Sequence, residues 1–574
     1  MISFRFNSLK YLYPTLCFLT LILFTLQHNS DKLQSEFKKG KQLKILVYSP
    51  SLSWSHGQFL GRIADTLVDA GHEVHFLKYI MSPDLQLKNE TRKVEKIYHI
   101  APSLANAKQV DVKNMHLIAD SFSQRRPFLT FFDHPIIEFD PIMATVCKDT
   151  LKEHELIQKL TNEHFDVGIA EMYDYCPSAL FHKLGVRTKI KATAIRLIQM
   201  VSRKFDIPSF ASFMPNAMAP RIGLESSFFL RFLNFYNEFL DWLWIDETYF
   251  RTQDKIIREE FGQDFPNLKE LVKDTSLMFI NSNPFLELTR PTSNKIIYIG
   301  GLVDDMASEE SKKLDEKTRK ILDEAKEGAV LFSFGSLTDT TKLNERMLKS
   351  IMGAFRRFPK IHFIWKVDNS TVNNNLKMFE SATNVHNFEW FRQPAILEHP
   401  NTRAFITHCG QNSLTESARA GVPIIGIPLF GDQFYNCIVG ETRGLGVQVD
   451  ISHLKESNGE NVLVEALEKI LYQPKYQQNA KIISKKLKLT PFSPTERLVK
   501  WVEFAAEFGD LPELNLPGEK EMNWFVYYSL DVILFSIIVL AILFWVAFKC
   551  FKWILLSIIN SWFTKIREEE KKKK

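Results

Sequence analysis

The sequence predicts an α/β protein with two doubly wound, Rossmann-like domains facing one another across a cleft, followed by a C-terminal transmembrane helix. Three observations lead there. Short apolar strands alternate with helical stretches in two separate regions, the pattern of parallel sheets. The length of 574 residues exceeds what a single hydrophobic core ordinarily holds. Near the C-terminus, an apolar run broken only by Ser536 leads directly into a basic tail.

In chain order, residues 1–30 come first. Arg5 and Lys10 precede the apolar run 11–26, as in the charged and apolar regions of a secretory signal. Gln27-His28-Asn29 supplies no small-residue cleavage site, so a cleaved signal and an uncleaved anchor are both open.

Residues 42–290 form the first predicted domain. Residues 44–48 are a strand, and 57–70 have helical spacing at Phe59, Ile63, Leu67 and Val68. Gly71-His72 breaks the helix before strand 74–77, and 165–170 supplies a further strand. The stretch 228–244 is a stripe of Phe228, Phe229, Phe232, Phe235, Tyr236, Phe239, Trp242 and Trp244. Its periodicity reads as core, with contact to a bilayer or a lipophilic pocket as the alternatives.

Residues 290–294 read as the interdomain linker, and 295–510 as the second domain, with strands at 296–299, 329–334, 362–367, 404–407 and 423–427. Residues 524–548 are the predicted membrane helix, entered through the aromatic belt Trp524, Phe525, Tyr527 and Tyr528. The tail 549–574 then lies in the cytosol, because Lys and Arg enrichment marks that side, and the body lies in a lumen. The stretch 553–563 is too short for a second span and reads as interfacial. Lys571 and Lys572 resemble a dilysine signal for the endoplasmic reticulum, although a solvated charge run looks the same.

Charge narrows the function. Eight basic and three acidic residues after Phe548 account for the whole net charge of +5, leaving the body formally neutral. That removes the footprint of nucleic-acid binding. Of six cysteines, Cys17 and Cys550 lie in or beside the apolar ends, and Cys147, Cys176, Cys409 and Cys437 match no zinc spacing. A bridge between Cys147 and Cys176 is compatible with the sequence. Asn89-Glu90-Thr91 and Asn369-Ser370-Thr371 are glycosylation sequons.

The chemistry concentrates between Trp390 and Gln433. A strand leads into the turn His408-Cys409-Gly410-Gln411, and a helix opens at Asn412-Ser413. The free N–H groups and positive dipole end of such a helix suit a diphosphate. His408, Asn412 and Ser413 add side-chain donors, and Glu416 lies one turn on, where a carboxylate can accept from ribose hydroxyls. Trp390 offers a flat face for a base, and Asp432-Gln433 suit sugar hydroxyls. Singly, each has a plain structural reading, such as helix capping by Asn412.

Together these residues resemble the donor signature of the animal UDP-glycosyltransferase family, the UDP-glucuronosyltransferase group, and the resemblance runs along nearly the whole chain. It implies the two-domain fold of GT-B type, Trp390 on uracil, Gln393 and Glu416 on ribose, and His408, Gly410, Asn412 and Ser413 at the diphosphate. Asp432 and Gln433 would meet the transferred sugar, and Ser336 in Ser333-Phe334-Gly335-Ser336 would lie near the phosphates. Cys409 stands where that family has glycine and Arg392 where it has proline, which puts a side chain in a tight turn and a cation beside the donor.

The same resemblance places the base at His56, at the head of the helix after the first strand, where the dipole keeps imidazole neutral. Glu171, in Phe165-Asp166-Val167-Gly168-Ile169-Ala170-Glu171, occupies the place of the usual partner aspartate, with Asp174 as the reserve. The implied reaction is inverting transfer of a glucuronosyl or glucosyl group from UDP-glucuronic acid or UDP-glucose to a small lipophilic acceptor. No D-x-D triplet occurs, so neither a metal nor another cofactor is expected. A non-catalytic UDP-sugar binder that modulates related enzymes is the principal alternative, and a lipid or sterol carrier is a third. Homo- or hetero-oligomers are left open.

Overall fold

The computed structural model describes residues 41–82, 86, 88–103, 106–122, 136–205, 207–217, 226–302, 313–516 and 522–573. The signal-like segment 1–30 lies outside them. Residues 41–514 hold two parallel sheets. The first contains β1 (Lys44–Ser49), β2 (Glu73–Tyr79), β3 (Lys96–Ile100), β4 (Val167–Glu171), β5 (Thr188–Thr193), β6 (Leu277–Ile280) and β7 (Ile296–Tyr298). The second contains β8 (Ala329–Ser333), β9 (His362–Lys366), β10 (Val385–Phe388), β11 (Thr402–Thr407), β12 (Ile424–Gly426) and β13 (Gly446–Gln448).

Strand order is β3-β2-β1-β4-β5-β6-β7 in one sheet and β10-β9-β8-β11-β12-β13 in the other. Every pairing is parallel. The central strands are nearly continuous apolar runs, such as Lys-Ile-Leu-Val-Tyr-Ser in β1, because helices cover both faces. In each sheet the winding reverses beside the first strand, between β1 and β4 and between β8 and β11. Ligands of such sheets bind beyond the strand carboxyl ends at that reversal.

The helices that frame the site are α1 (Trp54–Asp69), α2 (Ile136–Leu151), α3 (Phe228–Leu240), α4 (Asp246–Phe261), α5 (Gln393–Glu398), α6 (Gln411–Ala420) and α7 (Gln433–Thr442). Near the end of this body comes α8 (Pro494–Phe508). Residues 515–574 form a separate unit, dominated by α9 (Leu530–Lys572).

Four expectations are corrected. Strand 296–298 pairs with β6 and so completes the first sheet, which puts the 290–294 segment inside the first half rather than between the halves. The change of sheet falls after it, between β7 and β8. Helix α8 also returns to the first half, burying Leu498, Val502 and Ala505 in the core of Ile45, Val47, Phe59 and Ile169. Residues 553–563 are not a separate interfacial segment. They continue α9, whose 43 residues span roughly 65 Å at the helical rise.

The aromatic stripe, fourth, is not core. Phe228 is 74% exposed and Phe235 56%, and Phe229, Phe232, Tyr236, Phe239 and Trp244 are exposed as well. The polar side of α3 is the one that faces the protein. Asn234 donates to the Ala211 and Met214 carbonyls at 2.7 and 2.8 Å, and Arg203 donates to Glu238 at 2.7 Å. Just past α3, Asn216 donates to Asp241 at 2.7 Å. Spacing identified the residues that share a face, but it carries no information on which face turns inward.

Candidate active site

The first half contributes His56. Helix α1 begins at Trp54, three residues before its expected start, so His56 sits inside the first turn. Its Nδ1 lies 3.4 Å from Oε2 of Glu171, the last residue of β4. Glu171 is fully buried, and its Oε1 accepts the Ala194 N–H at 2.9 Å, which fixes the carboxylate. The pair therefore stands at the reversal between β1 and β4. Tyr173 packs edge-on against the His56 ring at 5.3 Å.

Close packing at Gly57 sets the position of α1. A Cβ at Gly57 would lie 2.3–2.7 Å from the Glu90 carboxylate. That carboxylate accepts from Ser49 at 2.8 Å and Ser51 at 2.5 Å, and Lys78 lies 3.4 Å away. Asp174, the reserve partner for His56, is committed elsewhere: it is buried beside Lys191 and Tyr48, and it accepts the Cys176 N–H at 3.0 Å. Burial above all raises its carboxyl to about 7.

The second half contributes the turn at His408, expected to hold the donor. His408 follows β11 and is wedged between two glycines: a Cβ at Gly335 or at Gly410 would come within 2.5 Å of its Nε2. Gly335 also has a φ of +85°, which favours glycine. Burial first, and then the neighbouring Lys366 ammonium, lower the His408 pKa to about 4, so the ring is neutral at pH 7.

Lys366 was not singled out from the sequence. It ends β9, donates to the Gly335 carbonyl at 2.9 Å, and lies 4.4 Å over the Trp390 ring. Burial holds its pKa down to about 8. A lysine closing an apolar strand next to the reversal was the available signal, but strand neighbours are nonlocal and no local spacing reports them.

Around this turn the expected residues come together. Gln393 Nε2 donates to Glu416 at 2.6 Å and to Ser413 Oγ at 3.1 Å, joining the N-terminal end of α5 to α6. Asn412 Oδ1 accepts from Asn281, at the end of β6, at 3.0 Å, and Gln411 Nε2 donates to the Asn281 carbonyl, so hydrogen bonds tie the two halves at the cleft. Trp390 is exposed, and Ser336 is exposed in the loop after β8.

Asp432 and Gln433 open α7. Gln433 Oε1 already accepts the Leu429 and Phe430 N–H groups at 2.9 and 3.1 Å, which leaves only its amide N–H groups as donors to a ligand. Burial raises the Asp432 carboxyl, while the Asn436 hydrogen bond and then the charge of His56 pull it back. The histidine of the first half is thus within electrostatic reach of a carboxylate of the second. Arg392 donates to the Lys313 carbonyl at 2.9 Å.

Two disulfides are present among the described residues. Cys147–Cys176 is the bridge that the sequence left open, and Cys409–Cys437, which sequence reasoning did not pair, joins the turn at His408 to α7. Glu73, His75 and Glu163 form a cluster with metal-ligand chemistry among the described residues. It lies near the N-terminal ends of β2 and β4, away from the carboxyl ends that carry the site, and Lys96 and Lys44 already bond its carboxylates at 2.8 Å.

The family model described as "UDP-glucoronosyl and UDP-glucosyl transferase" matches residues 43–563. The Caenorhabditis elegans protein ugt-48 is 32% identical over 86% of this chain and 91% of its own. Human UDP-glucuronosyltransferase 3A2 is 29% identical over 86% of this chain and 90% of its own. A crystal structure of UDP-glucose: anthocyanidin 3-O-glucosyltransferase in complex with UDP superposes with a TM-score of 0.53 at 15% identity, covering 82% of this chain and all of that one. The glycotransferase of kitacinnamycin superposes with a TM-score of 0.52 at 16% identity, covering 81% of this chain and 99% of that one. Both likenesses carry the two-sheet fold.

Proposed function

Because the chain belongs to the family of UDP-glucuronosyl and UDP-glucosyl transferases, and so moves a hexosyl group from a UDP-sugar to an acceptor, we propose that His56 is its general base, with Glu171 as the partner that holds it. The observation that carries this reading is the His56–Glu171 pair at one sheet reversal, with Asp432 of the opposite half within its electrostatic reach.

In this reading His56 takes the proton of an acceptor hydroxyl through Nε2, while Glu171 on Nδ1 orients the ring and stabilises the imidazolium. The acceptor oxygen bonds to the anomeric carbon as the bond from that carbon to the phosphate oxygen breaks, and configuration inverts. The N–H groups at the start of α6, together with His408, Asn412, Ser413 and Lys366, meet the charge that gathers on departing UDP. Ser336 and Gly410 border that anion. Trp390 stacks on uracil, Gln393 and Glu416 take the ribose, and Asp432 and the Gln433 amide take the sugar. No metal or cofactor is required by this scheme, so activity should survive EDTA.

The acceptor side is lipophilic. An open cavity of about 760 Å³, lined by Pro141, Trp244, Tyr249 and Ile256 among others, lies between α2 and α4. Phe139 lies 5.7 Å from Tyr173 and 6.3 Å from Tyr249, which connects the cavity wall to the ring beside His56. Small phenols and other lipophilic hydroxyl compounds, as in detoxification, suit such walls.

The proposed setting is the endoplasmic reticulum membrane, with α9 as a single span and the body in the lumen. Helix α9 is long and apolar enough to cross a bilayer. Two disulfides favour an oxidising compartment, and Asn89 and Asn369 are exposed for glycosylation.

The test is acceptor-dependent UDP release by membranes expressing the full chain, with UDP-glucuronic acid or UDP-glucose and a panel of phenols. Release with either donor, unaffected by EDTA, is the expected result. Tight UDP binding without turnover of either donor would instead point to a non-catalytic binder.

A further inference from the structure

The turn and the helix that would hold opposite ends of the donor are covalently joined, and we propose that Cys409 and Cys437 are positioning residues that set the spacing between the diphosphate turn and the sugar end of the site. This inference rests on the donor-site reading above.

Cys409 lies in the turn between His408 and Gly410, and its φ is +62°. That backbone conformation favours glycine, so a side chain here is explained by what its Cβ reaches rather than by the turn itself. It reaches Cys437 in α7, with a Cα–Cα distance of 5.5 Å. Cys437 is four residues after Gln433, on the same face of the helix, and five after Asp432. The bridge therefore links the anion turn to the helix whose first residues face the sugar.

Two further features are built around it. Gly426, the last residue of β12, lies beneath the bridge, and a Cβ there would stand 2.3 Å from the Cys437 sulfur and 2.5 Å from that of Cys409. Asn436 runs parallel to the bridge, donating to the Cys409 carbonyl at 2.9 Å and to the Asp432 carboxylate at 2.7 Å. Turn, helix and sugar-side carboxylate are thereby held as one piece.

A disulfide that only stabilised the fold would act chiefly on the unfolded chain and leave the relative affinities of ligands unchanged. A spacing device behaves differently. UDP alone engages one of the joined elements, the turn, whereas a UDP-sugar must engage both at once. Loss of the bridge should therefore weaken the intact donor and spare UDP.

The experiment uses the full-length chain in detergent and the double variant Cys409→Gly with Cys437→Ala, which gives the turn the residue its backbone favours and leaves neither bridge position with a thiol. KM for UDP-glucose and UDP-glucuronic acid, kcat, and Kd for UDP would be measured. The account expects donor KM to rise about tenfold, kcat and the Kd of UDP to stay within about twofold, and Cys147→Ala with Cys176→Ala to leave the ratio of donor KM to UDP Kd unchanged. An unchanged donor KM, or an equal rise in KM and UDP Kd, would overturn it. So would thiol labelling of the denatured, unreduced wild type that finds Cys409 and Cys437 free. Asp432→Asn separates the premises: if it leaves donor KM unaltered, the sugar-side reading fails, whereas a raised KM there with none in the bridge variant defeats only the positioning role.

Discussion

The two halves of this protein share one plan and differ in how their sites are held. In both, the site stands where the sheet winding reverses: His56 and Glu171 beyond β1 and β4, and the turn at His408 beyond β11 beside the loop after β8. The donor half fixes its site by crowding and a covalent tie, with His408 wedged between Gly335 and Gly410 and the turn bridged to α7. The half proposed to take the acceptor fixes only His56, through Glu171 and the close seat of α1, and leaves an open cavity and an outward aromatic helix beside it. A closely packed, bridged turn suits one invariant nucleotide. An open, apolar acceptor side suits many small lipophilic molecules, because apolar contact is undirected.

That contrast can be broken by mutation, beginning with the largest expected effect. Glu171→Gln should lower kcat about 10²- to 10³-fold by losing the charge that stabilises the imidazolium, with donor KM within about twofold. Steady-state kinetics would show this, and a raised donor KM with normal kcat would move Glu171 out of the acceptor half's chemistry. Gly335→Val acts on the other half. Its side chain would displace His408 and occupy a backbone with a φ of +85°, so donor KM should rise tenfold or more, on the order of a lost charge-assisted contact.

Lys366→Met should raise donor KM about tenfold, and it sharpens the account through pH. Burial depresses the Lys366 pKa to about 8, so the cation is present below that pH and is lost as pH rises through it. The kcat/KM for the donor should therefore fall above about pH 8 in the wild type and stay flat in Lys366→Arg. The smallest effect belongs to the aromatic face. Phe232→Ser with Phe235→Ser should change neither donor KM nor stability by more than about 0.5 kcal/mol, since exposed residues contribute little to packing. Thermal unfolding in detergent would check it, and a large loss would mean that this face is buried after all.

Legibility differed between the halves for physical reasons. In the half with β8, β9, β11 and β12 those strands were readable as apolar runs, and His408 to Glu416 could be listed because local spacing puts them on one turn and one helix, whereas Gln393 entered only through the family resemblance. The short edge strands β10 and β13 escaped, being only four and three residues long. In the acceptor half β5 was hidden by Lys189 and Lys191. Both are buried within the strand, where Lys191 donates to the Asp174 carbonyl at 3.2 Å, so its apolar character does not show in the sequence. The strand at 296–298 was assigned to the wrong sheet because composition does not reveal partners. The direction of α3, the role of Lys366 and the pairing of Cys409 with Cys437 are likewise products of nonlocal packing.

The most direct measurement is His56→Ala in the full-length chain, with UDP affinity and acceptor-dependent UDP release determined on the same preparation. If the base stands on one half and the donor is held by the other, the Kd of UDP stays within about twofold while turnover falls about 10³-fold. Turnover retained within a few fold would remove His56 as the base, and loss of UDP binding together with turnover would contradict the division of labour between the halves.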